Sequence, residues 1–284
     1  MKALYYTFLF CLIASFAFSQ SILKKQVFIP FNNDTGVPYT TDEELNDMVV
    51  SGFDVDSKGN YYFFGGAKSG CLAVFSITTQ KFRKVYTDVP ASSLFVFKDS
   101  LYTYYKSDGG ENSLLKIDIA NGTILKKYPN LSNKYVHTSQ FIDSSLVIGY
   151  YGSQSDSLKE QYAAYTLLGK YKGEAVSLYN VPKSIFPDKS LHSFCELVGY
   201  YNGNYVFWSI PDGKFNLERL WLVKKDGAVL ASVNLPGDFA GDAYADNPRE
   251  NRKVRNGNFY IMGKKGRSCI ITEIPLNNLF KGAN

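Results

Sequence analysis

Apolar and polar residues alternate with period two along most of this chain, as they do in strands with one covered face. The alternating runs recur as one phrase: a strand, a polar turn, an aromatic strand, a gap, an aliphatic strand, a short turn and a fourth strand. The clearest copy runs from Ser51 through Phe53-Asp54-Val55, the turn Asp56 to Asn60 and Tyr61 to Phe64, to Cys71–Ile77 and Lys81–Tyr86. A second copy joins Leu94–Phe97 to Leu101–Tyr105, then Ser113–Ile119 and Thr123–Tyr128 across Asn121-Gly122. A third places Gln140–Ile142, Leu146–Tyr151, Tyr162–Leu167 and Ala175–Tyr179 in order. A fourth runs from Phe194 to Val233 with Asn202-Gly203 at its first turn, and a fifth from Asn251 to Ile274 with Asn256-Gly257. Asn-Gly between alternating runs is a strong hairpin signal, because both residues tolerate positive φ.

The second strands start near residues 61, 101, 146, 205 and 259, at spacings of 40, 45, 59 and 54. A four-stranded unit at that period is the mark of a β-propeller blade. The fifth copy lacks its fourth strand, yet an unplaced strand, Lys25–Pro30, precedes the first copy. Closing the ring with it leaves no open edge to aggregate. The expected fold is therefore all-β: a single β-propeller over residues 20–284, with five blades of four antiparallel strands. The N-terminal strand closes the last blade. Six blades is the alternative, with Phe31 to Val50 as a degenerate unit. That segment otherwise reads as a loop and a short helical turn, with Thr41 and Glu44 as a capping box.

The first twenty residues stand apart. Lys2 is followed by the apolar run Leu4 to Phe18, with Ala17 and Ser19 suited to signal-peptidase cleavage. This is a secretory signal peptide over residues 1–19, too short for a spanning helix. The expected location is secreted or periplasmic. Cys11 follows Phe8-Leu9-Phe10 and does not fit a lipidation box. The three remaining cysteines, Cys71, Cys195 and Cys269, sit in apolar strands and read as buried thiols, with one bridge as the alternative.

Composition sharpens the picture in two ways. The chain has 22 Tyr and 21 Phe against 2 His and 3 Met, which favours strands over helices. Net charge is only +5, and the basic residues are scattered. One denser patch, Arg249, Arg252, Lys253, Arg255, Lys264, Lys265 and Arg267, is interleaved with Asp238, Asp242, Asp246 and Glu250 and reads as a solvated mixed surface. Nucleic-acid binding is excluded on that balance.

Phe53-Asp54-Val55-Asp56-Ser57-Lys58-Gly59-Asn60-Tyr61-Tyr62 resembles the repeats of NHL and lactonase-type propellers, where an Asp-x-x-Gly-Asn turn joins the first two strands. The resemblance implies the propeller architecture. WD40, sialidase and five-bladed fructosidase motifs are absent from the sequence.

Propeller ligands bind at one end of the channel, on the loops that lead into first strands and those that join second to third strands. His137 and His192 both precede first strands, in adjacent copies, and form the candidate ligand or divalent-metal pair. Asp47, Glu196 and Asp246 are the carboxylates within reach of that face, although each also reads as a solvated or turn residue. Tyr105, Tyr151 and Trp208 end second strands and would suit stacking on a sugar or apolar ligand, or would pack between blades. Arg249 lies on the loop before the fifth copy. Asp54 and Asp56 read as hairpin-turn residues, since their spacing is not that of a calcium loop. No nucleophile, phosphate-loop or dinucleotide motif occurs. The expected protein is a monomeric module binding a protein or carbohydrate ligand, without a cofactor. The alternative is a lactonase or glycosidase-type hydrolase with a channel-end site, for which a divalent metal would be the cofactor.

Overall fold

The computed structural model describes residues 24–42, 47–50, 52–65, 70–87, 94–97, 100–106, 112–128, 136–142, 145–151, 160–165, 171–174, 194–210, 218–235 and 251–282. The described residues open with β1 (Lys25–Pro30) and a two-stranded ribbon, β2 (Thr40–Asp42) against β3 (Asp47–Val49). Four antiparallel meanders follow. The first is β4 (Gly52–Val55), β5 (Tyr61–Gly65), β6 (Gly70–Ser76) and β7 (Lys81–Thr87). The second is β8 (Phe95–Phe97), β9 (Ser100–Lys106), β10 (Asn112–Ile117) and β11 (Ile124–Tyr128). The third is β12 (Val136–Ile142), β13 (Ser145–Tyr151), β14 (Glu160–Tyr165) and β15 (Tyr171–Glu174). The fourth is β16 (Phe194–Tyr201), β17 (Asn204–Ile210), β18 (Arg219–Val223) and β19 (Val229–Asn234). A last sheet holds β20 (Arg252–Arg255), β21 (Asn258–Lys265) and β22 (Ser268–Pro275), followed by the short helix α1 (Leu276–Leu279). Its fourth strand is β1, paired antiparallel with β22 from Lys25↔Glu273 to Pro30↔Ser268.

Five four-stranded sheets are thus present among the described residues. Their first strands touch in a closed circuit: β4 against β8, β8 against β12, β12 against β16, β16 against β20, and β20 against β4. The sheets therefore stand around a common axis, with β7, β11, β15, β19 and β1 outermost. Among the described residues, the segment Phe31 to Val50 adds the ribbon and no further four-stranded sheet, which speaks against the six-unit alternative. Thr41 heads no helix; it lies in β2, opposite Met48.

Aromatic and branched side chains fill the gaps between sheets. Phe53, Tyr61, Phe63 and Phe75 of the first sheet pack with Tyr260, Met262 and Ile271 of the last. Val198, Trp208 and Leu220 of the fourth sheet pack with Val254, Phe259 and Leu276. Tyr62, Phe64 and Leu72 meet Val96, Leu101 and Ile117. Gly199 permits a close approach between the fourth and last sheets. Its φ is +155°, and a Cβ there would lie 2.5 Å from the Val254 Cβ.

The turns follow the side chains that define them. Asn202-Gly203 and Asn256-Gly257 have φ of 47°, 80°, 52° and 74°, the paired positive values of a tight hairpin. Asn121-Gly122 is different. The loop there is longer, Asp118 N–H bonds the Thr123 carbonyl, and only Gly122 has positive φ. In the third sheet the strands lie earlier than the alternation predicts, with β14 ending at Tyr165 and β15 at Glu174. The expected strand Ala175–Tyr179 falls outside the described residues.

The seam between the first and last sheets carries an alkaline sensitivity. The Tyr61 and Tyr260 rings meet edge-on at 6.3 Å, and the Tyr260 hydroxyl donates to Glu273 Oε1. Burial pushes the Tyr260 phenol up to about 12, with the Glu273 charge adding to the effect and a bond from Asn258 opposing it. Burial first, then the Glu273 and Tyr260 charges, raise Tyr61 as well. An unfolded tyrosine ionises near pH 10, so above that pH the unfolded chain loses protons that the folded one keeps. Stability should be level up to about pH 10 and then fall by about 1.4 kcal/mol per pH unit per buried phenol. Urea titrations at pH 8, 10 and 11, with tyrosinate absorbance, check this. A midpoint unchanged at pH 11 would show that the two phenols ionise normally.

Candidate functional site

The first strands of a closed ring have both faces covered by neighbouring sheets, so any polar residue on them must find partners inside. Asp54 on β4 is fully buried. Its Oδ1 accepts the Val55 N–H at 2.8 Å, and its Oδ2 accepts both the Val96 N–H of β8 and Arg255 Nη2 of β20 at 2.8 Å. One carboxylate therefore ties three neighbouring first strands. It is not a turn residue, contrary to the reading of the sequence. Asp56 is: its Oδ1 accepts the Lys58 and Asn60 N–H groups, and its Oδ2 accepts Asn60 Nδ2 and the Tyr62 hydroxyl. Asn256 Nδ2 donates to the Asp56 carbonyl and so joins the turns of the first and last sheets.

The second cluster lies between the fourth and last sheets, at the end of the ring where second strands finish. Trp208 is wholly buried, and its Nε1 donates to Glu218 Oε2 at 2.7 Å. The Arg252 guanidinium lies 4.0 Å from the Trp208 ring and grips both Glu218 oxygens, from Nε at 3.1 Å and Nη2 at 2.5 Å. A planar guanidinium can stack and bond bidentately at once, which an ammonium cannot. Both Glu218 oxygens are thereby occupied, and Glu218 fixes the start of β18, with its carbonyl accepting the Leu235 N–H.

Lys253 completes the set. It is 1% exposed, and its Nζ lies 5.4 Å from the Phe95 ring centroid. β20 and β8 flank β4 in the circuit, so this side chain reaches past β4 to the next first strand. Arg252, Lys253 and Arg255 are thus interior residues, not part of the solvated mixed surface their sequence neighbourhood suggests. Glu196 on β16 is also interior, at 2% exposure, not solvated.

The candidate residues divide sharply. Trp208 belongs to the inter-sheet packing and offers no exposed stacking face. His137 lies within β12, not before it, at an irregularity: Val136 pairs with Tyr150 and Thr138 with Gly149, leaving His137 as the extra residue of a bulge. Tyr105 lies near the end of β9 and Tyr151 at the end of β13, the same end of the ring as the start of β12. Asp47 opens β3 of the ribbon. The ribbon rises at that end too, since β1 finishes there and a Cβ on Gly65, at the end of β5, would lie 2.6 Å from the Pro38 carbonyl. The side chains of His137, Tyr105, Tyr151 and Asp47 lie outside the described residues, as do His192, Arg249 and Asp246 altogether. Cys71 and Cys269 are buried free thiols, both pushed up by burial. Among the described residues no helix is long and apolar enough to cross a membrane.

No protein-family model matches the chain, and no curated protein matches it. Among solved structures, BamB from Moraxella catarrhalis aligns at 11% identity and a TM-score of 0.44, over 88% of this chain and 98% of that one. TolB from Acinetobacter baumannii aligns at 10% and 0.46, over 88% of this chain and 63% of that one. A luciferin-regenerating enzyme aligns at 10% and 0.44, over 87% and 76%. The sheet order and the closed circuit of first strands make this chain a β-propeller.

Proposed function

We propose that the five sheets are the blades of one five-bladed ring, and that the protein is a secreted or periplasmic binding module. It recognises a protein or a glycan with the end of the ring where second strands finish. The observation that carries this reading is the use made of the interior charges. Asp54, Arg255, Arg252 and Glu218 are held in contacts between sheets, and buried Lys253 reaches Phe95 of the second sheet, so the described interior is scaffold. Recognition then falls to the rim, where His137, Tyr105, Tyr151 and Asp47 sit by register, with His192 and Arg249 on the adjoining segments of chain. Loops on a rigid frame are where binding residues concentrate. The signal-like first nineteen residues support export.

One observation favours a second reading. His137 sits on a bulge of an inner strand, and bulges re-aim side chains beside active sites. A hydrolase of lactonase or glycosidase type would use it with His192, and with a divalent metal if one binds.

The test is a glycan array and an extracellular protein array probed with the mature chain, followed by Tyr105→Ala, Tyr151→Ala and His137→Ala. Binding should weaken about tenfold or more at a true contact residue. Retained binding in all three variants would overturn the rim assignment. Bound metal, with lactone hydrolysis abolished by His137→Ala and His192→Ala, would establish the hydrolase instead.

A further inference from the structure

A different surface carries a second, independent site. We infer that the free edge of β11 docks an acidic, extended segment of another protein by strand addition. β11 is the outermost strand of the second sheet, so one side of its backbone has no ladder partner among the described residues. The outer strands β7, β19 and β1 hide part of themselves. β7 and β19 alternate between more and less exposed positions, and β1 buries Ile29. β11 instead exposes four consecutive residues, Ile124, Leu125, Lys126 and Lys127, and buries only Tyr128. Successive strand residues point to opposite faces, so both faces of this edge are open to solvent. Ile124 and Leu125 are 50% and 58% exposed.

The surroundings extend the patch. The turn before β11 lies against β7, since a Cβ on Gly122 would stand 2.3 Å from the Tyr86 carbonyl. Tyr86, on β7, is 63% exposed. Lys81, Arg83, Lys126 and Lys127 are exposed and Lys116 partly so, and none of the five makes an ion pair with a described residue. The neighbouring Asp118 carboxylate is engaged with the Ala120 N–H. Lysines on an edge ordinarily deter other strands, and here they deter a second copy of this chain, whose β11 would set lysines beside lysines. The same charges select an acidic strand. Backbone groups supply the attraction, the exposed aliphatics supply contacts, and the lysines supply the discrimination.

The probe is a capped peptide of alternating valine and glutamate, added to the mature protein and followed by amide hydrogen exchange. Exchange at Ile124 to Tyr128 should slow about tenfold at saturation, and added salt should weaken the effect. Lys126→Glu with Lys127→Glu changes only exposed side chains. It should abolish protection by this peptide and transfer it to a valine–lysine peptide. No protection of β11 would overturn the proposal, as would equal protection by both peptides with the unchanged protein. Protection that rises with protein concentration alone would assign the edge to a second copy. Lysine-dependent binding to phosphatidylglycerol vesicles without amide protection by the peptide would assign it to a lipid surface.

Discussion

Replacing Asp54 with alanine should destabilise the protein by about 3–5 kcal/mol, the cost of leaving one partner of a buried ion pair behind. The carboxylate is wholly buried and serves three strands at once. Its removal leaves Arg255, whose side chain is 13% exposed, without that partner, and strips the Val96 N–H of its acceptor. An orphaned buried N–H alone costs about 1–3 kcal/mol. Asp54→Asn should cost less, because the amide oxygen can still accept from β8 and only the charge opposite Arg255 is lost. Arg255→Met alone should cost as much as the alanine change, since it strands a fully buried carboxylate. Asp54→Leu combined with Arg255→Met should recover part of the loss, because an apolar pair needs no desolvated charge. Urea denaturation of the four variants measures this. A cost below about 1 kcal/mol for Asp54→Ala would place the pair among surface ion pairs and contradict its burial.

The strands were legible because their signal is local. Each second strand begins within a residue of where the alternation places it, at Tyr61, Ser100, Ser145, Asn204 and Asn258. Asn202-Gly203 and Asn256-Gly257 turn as their chemistry demands. Asp54 was misread because its partners lie 42 and 201 residues away, while the turn of Asp56 lies two residues on. Arg252-Lys253-Val254-Arg255 was misread for a similar reason. A basic run ordinarily signals a wet face, yet a first strand in a closed ring has none. A usable clue did exist in the sequence. The fifth copy carries positive charge on its first strand, where the first and fourth copies carry Asp54 and Glu196. Opposite charges on neighbouring inner strands point to pairing inside the ring, such as that of Asp54 with Arg255. His137 was placed one element too early, because a bulge breaks the period that locates strand starts.

Deleting residues 24–37 should abolish folding of the ring or convert it to an aggregating species. The segment contributes β1, the fourth strand of the last sheet, and with it Ile29, Phe31 and Val37, all buried in the core beside Phe53, Met262 and Ile271. Burying each such side chain is worth about 1.5–3 kcal/mol. The three together approach the whole net stability of a typical domain, about 5–15 kcal/mol. The ladder to β22 goes as well, and so does the bond from the Phe31 N–H to the Arg267 carbonyl. What remains is a long apolar edge, β22, from Ser268 to Pro275, with Cys269 and Ile271 uncovered. Exposed edges of that kind pair with other chains. A soluble truncated chain that melts within a few degrees of the intact protein would contradict the closure. A sharper measurement supplies the segment in trans. A synthetic peptide of residues 24–37 should restore solubility and native circular dichroism, whereas the same peptide with Ile29→Asp should not. The contrast isolates the apolar contact from the backbone ladder, because both peptides offer the same hydrogen bonds to β22.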